Sequence, residues 1–261
     1  MILIYAVIVL LATIIGAIAG LGGGVIIKPL FDFLGYHNAQ TIGVLSAFAV
    51  FTLSVVSIFK HKQSLKKFDY ALIGYVSIGS FVGGLLGENL FIRLKNMIVN
   101  DASILLVQSV LLFVVLVMIL VYEHDKSKLK TFHLHSKAMI FGVGLLLGSL
   151  STFLGIGGGP LNIIAFSLLF SMETKTTVIY SICTVFFAQL SKLTQVCIQT
   201  QFVGYDMNLL LSICCFAVVG GFIGSQIHHR ISSNRIDQIF KITLSFLLVI
   251  TSINIFNYLQ L

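Results

Sequence analysis

Residues 2–27 and 102–122 contain no charged side chain, and each run exceeds the roughly 18 apolar residues that read as a membrane-spanning helix. Runs of this length decide the solvent before any other feature does. Hydrocarbon offers no partner to a backbone N–H or C=O, so a chain that crosses it folds there as helix. Composition agrees. Only 10% of the 261 residues are charged and 57% are apolar, with a mean hydropathy of +1.05. Sixteen basic and nine acidic side chains cannot coat a soluble globule of this length. The expectation is an all-α integral membrane protein, multi-pass, with the lipid bilayer as its first partner.

The net charge of +7 does not indicate nucleic acid, because the basic residues are scattered through short loops instead of being gathered on one face or arm. Met1-Ile-Leu-Ile-Tyr5 lacks a basic n-region and no small-residue cleavage pattern follows, so the first helix is expected to be retained. Cys183, Cys197, Cys214 and Cys215 lie in apolar segments without C-x-x-C spacing and read as buried packing residues. His124, His133 and His135 fall in a polar linker and His228-His229 in a basic loop. With no carboxylate or thiol at ligand spacing they read as solvated, and neither metal nor cofactor is expected. H-E-x-x-H and G-x-S-x-G are absent, and Glu88, Glu123 and Glu173 read as helix-end residues, so no enzyme chemistry is expected.

The chain is one motif written twice. Gly20-Leu-Gly-Gly-Gly24 recurs as Gly155-Ile-Gly-Gly-Gly159 at an offset of 135 residues, which also brings Thr41 onto Thr176, Ser46 onto Ser181 and Phe51 onto Phe186. At an offset of 137, Asp69 falls on Asp206, Gly83-Gly84-x-x-Gly87 on Gly220-Gly221-x-x-Gly224, and Arg93 on Arg230. The expected units are a first repeat over 1–122, a linker over 123–137 and a second repeat over 138–261. Each repeat holds a Gly-broken segment (2–34, 138–171) and three helices, near 41–59, 69–87 and 102–122, then 176–195, 206–227 and 239–258. Asp69 and Asp206 stand where N-caps belong, and Arg93 and Arg230 just past helix C-termini.

Charge indicates how the broken segments run. If each returns to its starting side, each repeat crosses three times and the two are inverted. Loops 60–67, 123–137 and 228–238 then share a face with ten Lys/Arg against three (Arg93, Lys95, Lys192). If each crosses once, the division is nine to five. The positive-inside rule favours the inverted arrangement, with both termini outside and the basic loops cytoplasmic.

Three glycines in succession abandon helix propensity and expose backbone, which lipid tolerates only where it is buried in protein or lines a polar cavity. Close helix packing needs a small residue once per turn. That suffices for Gly16-x-x-x-Gly20, Gly79-x-x-x-Gly83-x-x-x-Gly87, Gly144-x-x-x-Gly148 and Gly220-x-x-x-Gly224, but not for the triplets. A half-helix is therefore expected to start near Val25 and another near Pro160, each presenting free amides and a positive dipole end at the membrane centre. Two such ends make a candidate anion site, lined by Gly22, Gly23, Gly24, Gly157, Gly158 and Gly159. Ser46 and Ser181 on the following helices could donate to an oxyanion or simply bond their own backbone. Asn162 and Lys28 follow the breaks; Lys28 is either a functional intramembrane cation or a snorkelling one. Gln189 and Lys192 are weaker candidates.

Duplicated G-x-G-G-G elements, each opening a half and followed by a short apolar run, with Pro29 after the first, resemble the sulfite exporter TauE/SafE family of membrane permeases. The resemblance implies transport of small anions, sulfite and sulfur-containing organic anions among them, often outward across a bacterial inner membrane. It places Gly22–Gly24 and Gly157–Gly159 along the pathway and makes Ser46 and Ser181 the serine of the family's Thr-Ser pair. This chain has Leu45 and Tyr180 in place of that threonine, Lys28 where an apolar residue is usual, and Ile164 where the first repeat has Pro29. The expected function is a carrier for a small anionic substrate working by movement of one repeat against the other. A passive channel and a non-transporting scaffold are the alternatives. The oligomeric state is left open, a homo-oligomer included.

Overall fold

The computed structural model describes residues 2–61, 69–98, 100–126, 130–200 and 204–260. Among these residues the chain is helical without strands: α1 (Ile2–Ala19), α2 (Gly24–Leu34), α3 (Ala39–Lys60), α4 (Tyr70–Met97), α5 (Asp101–Asp125), α6 (Lys137–Leu154), α7 (Gly159–Phe170), α8 (Thr174–Thr200), α9 (Met207–Arg230) and α10 (Ser233–Leu259). Eight of them are long and apolar enough to cross a membrane; α2 and α7 are the short exceptions. The basic loop at 60–67 falls outside the described residues from 62 onward.

Helix starts follow capping chemistry. Asn38 accepts from Thr41 N at 2.9 Å, and Asn100 caps α5 through Ala102 N. Asp69 and Asp206 each accept two amides of the following first turn, as the duplication led us to expect. Helix ends differ more. α4 runs ten residues beyond the expected end at 87, so Arg93 lies inside the helix and not past its terminus. Gly87 does not stop α4 because it is used for packing: a Cβ there would lie 2.2 Å from Ser149 O. His228 and His229 form the last turn of α9, and His228 is buried, its Nδ1 2.8 Å from Ile18 O; neither belongs to a solvated loop. Only Cys183 of the four thiols is fully buried, while Cys197 and Cys215 are exposed on their helices.

Both Gly-broken segments reverse direction. The Tyr5 hydroxyl near the start of α1 meets His37 Nδ1, beyond the end of α2, at 2.8 Å, and the Tyr5 ring lies 4.1 Å from that of Phe31. The chain leaving α7 likewise returns to the start of α6, where Phe132 N and Leu134 N donate to Leu168 O and Leu169 O. α3 and α8 cross between the hairpins in opposite directions. Phe51 stacks on Phe186 at 5.2 Å, and Gly43 near the start of α3 faces Lys192 near the end of α8.

The closest helix contacts join one half of the sequence to the other. Gly79, Gly83 and Gly87 of α4 lie against the α6 backbone at Phe141, Leu145 and Ser149, while Gly144 and Gly148 of α6 lie against α4 at Val76 and Ser80. Gly220 and Gly224 of α9 meet α1 at Leu10, Thr13 and Ile14 in the same manner. Small residues once per turn let backbones touch where lipid supplies no hydrophobic drive, so packing rests on such contacts. The main apolar core, including Leu21, Ile27, Leu45, Ile156, Leu210 and Leu247, wraps the two breaks.

Candidate functional site

The breaks themselves form the centre. Gly20, Gly22 and Gly23, and Gly155, Gly157 and Gly158, all have positive φ between 68° and 78°, a region open to glycine at little cost. Gly23 and Gly158 are the N-cap residues of α2 and α7, and neither helix has a side-chain cap. The orphan amides of both first turns are thus left to the site. The two breaks press together: a Cβ on Gly24 would sit 2.6 Å from Ile156 O, and one on Gly159 would sit 2.1 Å from Leu21 C. Val50 of α3 and Val185 of α8, equivalent positions in the repeats, face both Gly22 and Gly157.

Ser181 is buried with its hydroxyl donating to Gly20 O at 2.9 Å, with Gly159 O at 3.4 Å. It ties the first break to α8, so its hydroxyl is occupied by backbone. Ser46 is equally buried but its Oγ has no hydrogen-bond partner. One turn from both Gly43 and Val50, it lies on the α3 face that meets the breaks. Asn162 donates to Ser181 O at 3.4 Å and leaves its own Oδ1 unpartnered. The glycine triplets, Ser181 and Asn162 are therefore brought together, and the hydroxyl and amide oxygens of Ser46 and Asn162 remain available.

Lys28 is buried, 2% exposed, with Nζ 2.7 Å from Asp32 Oδ2 one turn on. It does not snorkel, and it is not a bare cation facing the second half-helix either. Lys192, counted above as a loop residue, is also 2% exposed, 2.9 Å from Glu88 Oε2 and 3.4 Å from Thr152 O. Glu88 is not a helix-end residue: α4 continues nine residues past it. Asp32 and Glu88 are thus buried carboxylates inside the helix bundle. Sequence reasoning missed the Lys192–Glu88 pair because a buried charge is recognised by its partner, and these two come from different halves, whereas Lys28 and Asp32 stand at the i,i+4 spacing of a helical ion pair. The repeat alignment carried the signal: it sets Glu88 on Ser225 and Lys192 on Ser57, and those serines hydrogen-bond to each other at 3.0 Å. Gln189 donates to Ser151 Oγ at 3.3 Å beside the second break.

A cavity of about 420 Å³ opens at the other end of the bundle between α4, α6 and α7, lined by Asp69, His133, His135, Lys137, Phe170 and Tyr180 among others. The Tyr180 hydroxyl accepts from Asp69 N at 3.1 Å at its rim. Among the described residues no group of three His, Cys, Asp or Glu is arranged to hold a metal ion.

Comparison with known proteins agrees with this architecture. Residues 5–254 match the family model described as sulfite exporter TauE/SafE. The chain is 23% identical over 267 residues to the Probable membrane transporter protein YunE of Bacillus subtilis, covering 90% of this chain and 91% of that one. A probable membrane transporter protein of Methanocaldococcus jannaschii is 28% identical over 155 residues, 56% of this chain and 54% of its own. No solved structure matches. With the family model covering nearly the whole chain and eight apolar helices behind it, this multi-pass membrane protein belongs to the sulfite exporter TauE/SafE family of membrane transporters.

Proposed function

We propose that the protein is a carrier, not an enzyme, that exports a small anion, sulfite or a sulfur-containing organic anion, across a bacterial plasma membrane by alternating access. The observation that carries this reading is the pair of uncapped half-helix starts, α2 and α7, backed onto each other at Gly22–Gly24 and Gly157–Gly159. Each presents orphan amides and the positive end of a helix dipole, the arrangement that binds carboxylate, sulfonate or sulfite oxygens without a cation of its own. Ser46 Oγ adds a neutral donor. With Val50, Val185, Leu21 and Ile156 filling the contact, this arrangement corresponds to a closed state, and substrate enters when the breaks separate.

The repeats over 1–122 and 138–261, joined by the 123–137 linker, are taken to be inverted, with both termini outside and the basic loops cytoplasmic. The two hairpins and the antiparallel crossing of α3 and α8 support this. Removing buried Lys192 from the loop charges leaves ten basic residues against two, which sharpens the same orientation. Because the tight glycine contacts join α1 to α9 and α4 to α6, the moving units are cross-repeat bundles, and the 420 Å³ cavity is the cytoplasmic entrance. Thermal stability of the purified protein, followed across sulfite, sulfate, thiosulfate, methanesulfonate and acetate, tests the reading. Selective stabilisation by sulfur oxyanions is expected, and no shift with any anion would refute it.

A further inference from the structure

Four charged side chains are buried together on one side of the α3–α8 crossing. Lys192 lies six residues past Phe186, about 9 Å along the helix, and Gly43, its neighbour on α3, lies on the same side of Phe51. The stem of Lys28 passes the other face of the same spot: Cδ and Cε lie 3.2 Å from where a Gly155 Cβ would be, and Gly43 Cα lies 3.7 Å from that point. Both ammonium groups thus flank the Gly43–Gly155 contact, at the C-terminal end of α6, whose carbonyls favour cations.

The fold does not need charge at these places. The equivalent of the Lys192–Glu88 pair is a hydrogen bond between two neutral hydroxyls, Ser57 and Ser225, at 3.0 Å. The equivalents of Lys28 and Asp32 are Ile163 and Ser167. Burying an ion costs several kcal/mol even when it is paired, so charge kept on one side only, where the fold accepts neutral residues on the other, marks function. Both pairs are also incompletely satisfied. Asp32 Oδ1 has no partner, and Glu88 Oε2 lies 2.9 Å from Lys192 Nζ but out of line for a hydrogen bond. An ammonium has three donors, and Lys192 uses one on Thr152 O.

We propose that the two ion pairs are a proton-coupled anion station, at which a small anion takes over the ammonium and the displaced carboxylate takes up a proton. This rests on the anion-carrier reading above and supplies its coupling ion. In the empty carrier each lysine faces its own carboxylate and the site is neutral. When a monoanion settles on Lys192, Glu88 loses its counter-ion, an O–H bond forms on its carboxyl oxygen with a proton from water, and the site stays neutral. Two pairs accommodate a dianion with two protons. Among the described residues, phenols and their partners also face the station. The Tyr205 hydroxyl, bonded to Gln40, lies within electrostatic reach of Glu88, and Lys95 also donates to Gln40. Tyr258 donates to Asp32 O at 3.0 Å, and Tyr5, bonded to His37, lies within reach of Asp32.

The test uses the full chain in proteoliposomes, with labelled methanesulfonate or thiosulfate outside and a pH indicator inside. Neither anion carries a proton at neutral pH, so any proton that moves is taken up by the protein. Wild type is expected to move one proton with each methanesulfonate and two with each thiosulfate. In Glu88→Gln the number of protons moved per methanesulfonate is expected to fall at least tenfold, and Asp32→Asn is expected to halve the ratio for thiosulfate. Wild-type anion flux without proton flux overturns the coupling and leaves the carrier reading standing, and it does so without any variant having to fold. An unchanged ratio in Glu88→Gln also overturns it. Absence of flux for these anions and for sulfite removes the carrier reading and this proposal with it.

Discussion

Replacing Gly159 by alanine separates steric from conformational cost at the centre of the molecule. The added methyl would meet Leu21 C and O at 2.1 Å and Leu21 Cα at 2.5 Å, more than 1 Å inside ordinary contact, and all three atoms are backbone that cannot rotate away. Gly159 itself has no positive φ, so the whole effect is overlap: the breaks must part. Overpacking of rotatable side chains costs about 1–3 kcal/mol, and rigid backbone on both sides places this variant at about 3 kcal/mol or more. Two other glycines calibrate the scale. Gly35 has φ of 66° and nothing within 4 Å of its Cβ position, so alanine there bears only the left-handed penalty, about 1–2 kcal/mol. Gly22 has φ of 71° and side-chain neighbours at 3.3 Å or beyond, so its alanine variant should cost little more than that of Gly35. Reversible unfolding in mixed micelles of increasing denaturing-detergent fraction reports all three. The expected order of destabilisation is Gly159 well above Gly22, and Gly22 at or slightly above Gly35. If Gly159→Ala is no worse than Gly35→Ala, the breaks do not meet backbone to backbone and the site described here is wrongly assembled.

Other consequences follow from the same contacts. Ser181→Ala removes the donor to Gly20 O and should cost about 1–3 kcal/mol, whereas Ser46→Ala removes an unpartnered buried hydroxyl and should be neutral or stabilising; equal losses at both would contradict the bonding described. At 2.9 Å and an effective dielectric of about 20, the Lys192–Glu88 attraction is about 6 kcal/mol before desolvation. Lys192→Met alone should therefore cost about 3–5 kcal/mol and Lys192→Met with Glu88→Met much less; additive losses in that double-mutant cycle would refute the pair. Asp69→Ala and Asp206→Ala should each lose about 1 kcal/mol through the same two-amide cap, and a tenfold difference in their effects on unfolding would show that the two starts are not equivalent.

Much of this architecture was legible in the sequence because it is written there twice. The aspartate caps, the reversing hairpins and the turn-spaced glycines each depend on residues local to one helix or one break, and each has a counterpart in the other half. What escaped was whatever depends on a partner far along the chain. Glu88 read as a helix end because Gly87 precedes it, yet Gly87 is filled by the α6 backbone and the helix runs on. Lys192 stood only as a weaker candidate and was counted with the outer-face charges, because nothing near it in sequence announces Glu88. His228 read as part of a basic loop, although its Nδ1 meets Ile18 O, more than two hundred residues away, in a buried contact. Ser46 and Ser181 could not be separated beforehand: they occupy equivalent positions of the repeat, and only the packing shows that one hydroxyl is tied to backbone and the other is not.

Counterflow in proteoliposomes tests the central claim most directly. Vesicles loaded with unlabelled sulfite and diluted into labelled sulfite should accumulate label transiently above equilibrium, and Gly159→Leu, which cannot seat its side chain against Leu21, should abolish it. Label that equilibrates without overshoot would make the protein a channel, and counterflow unaffected by Gly159→Leu would mean that the paired breaks are not the site.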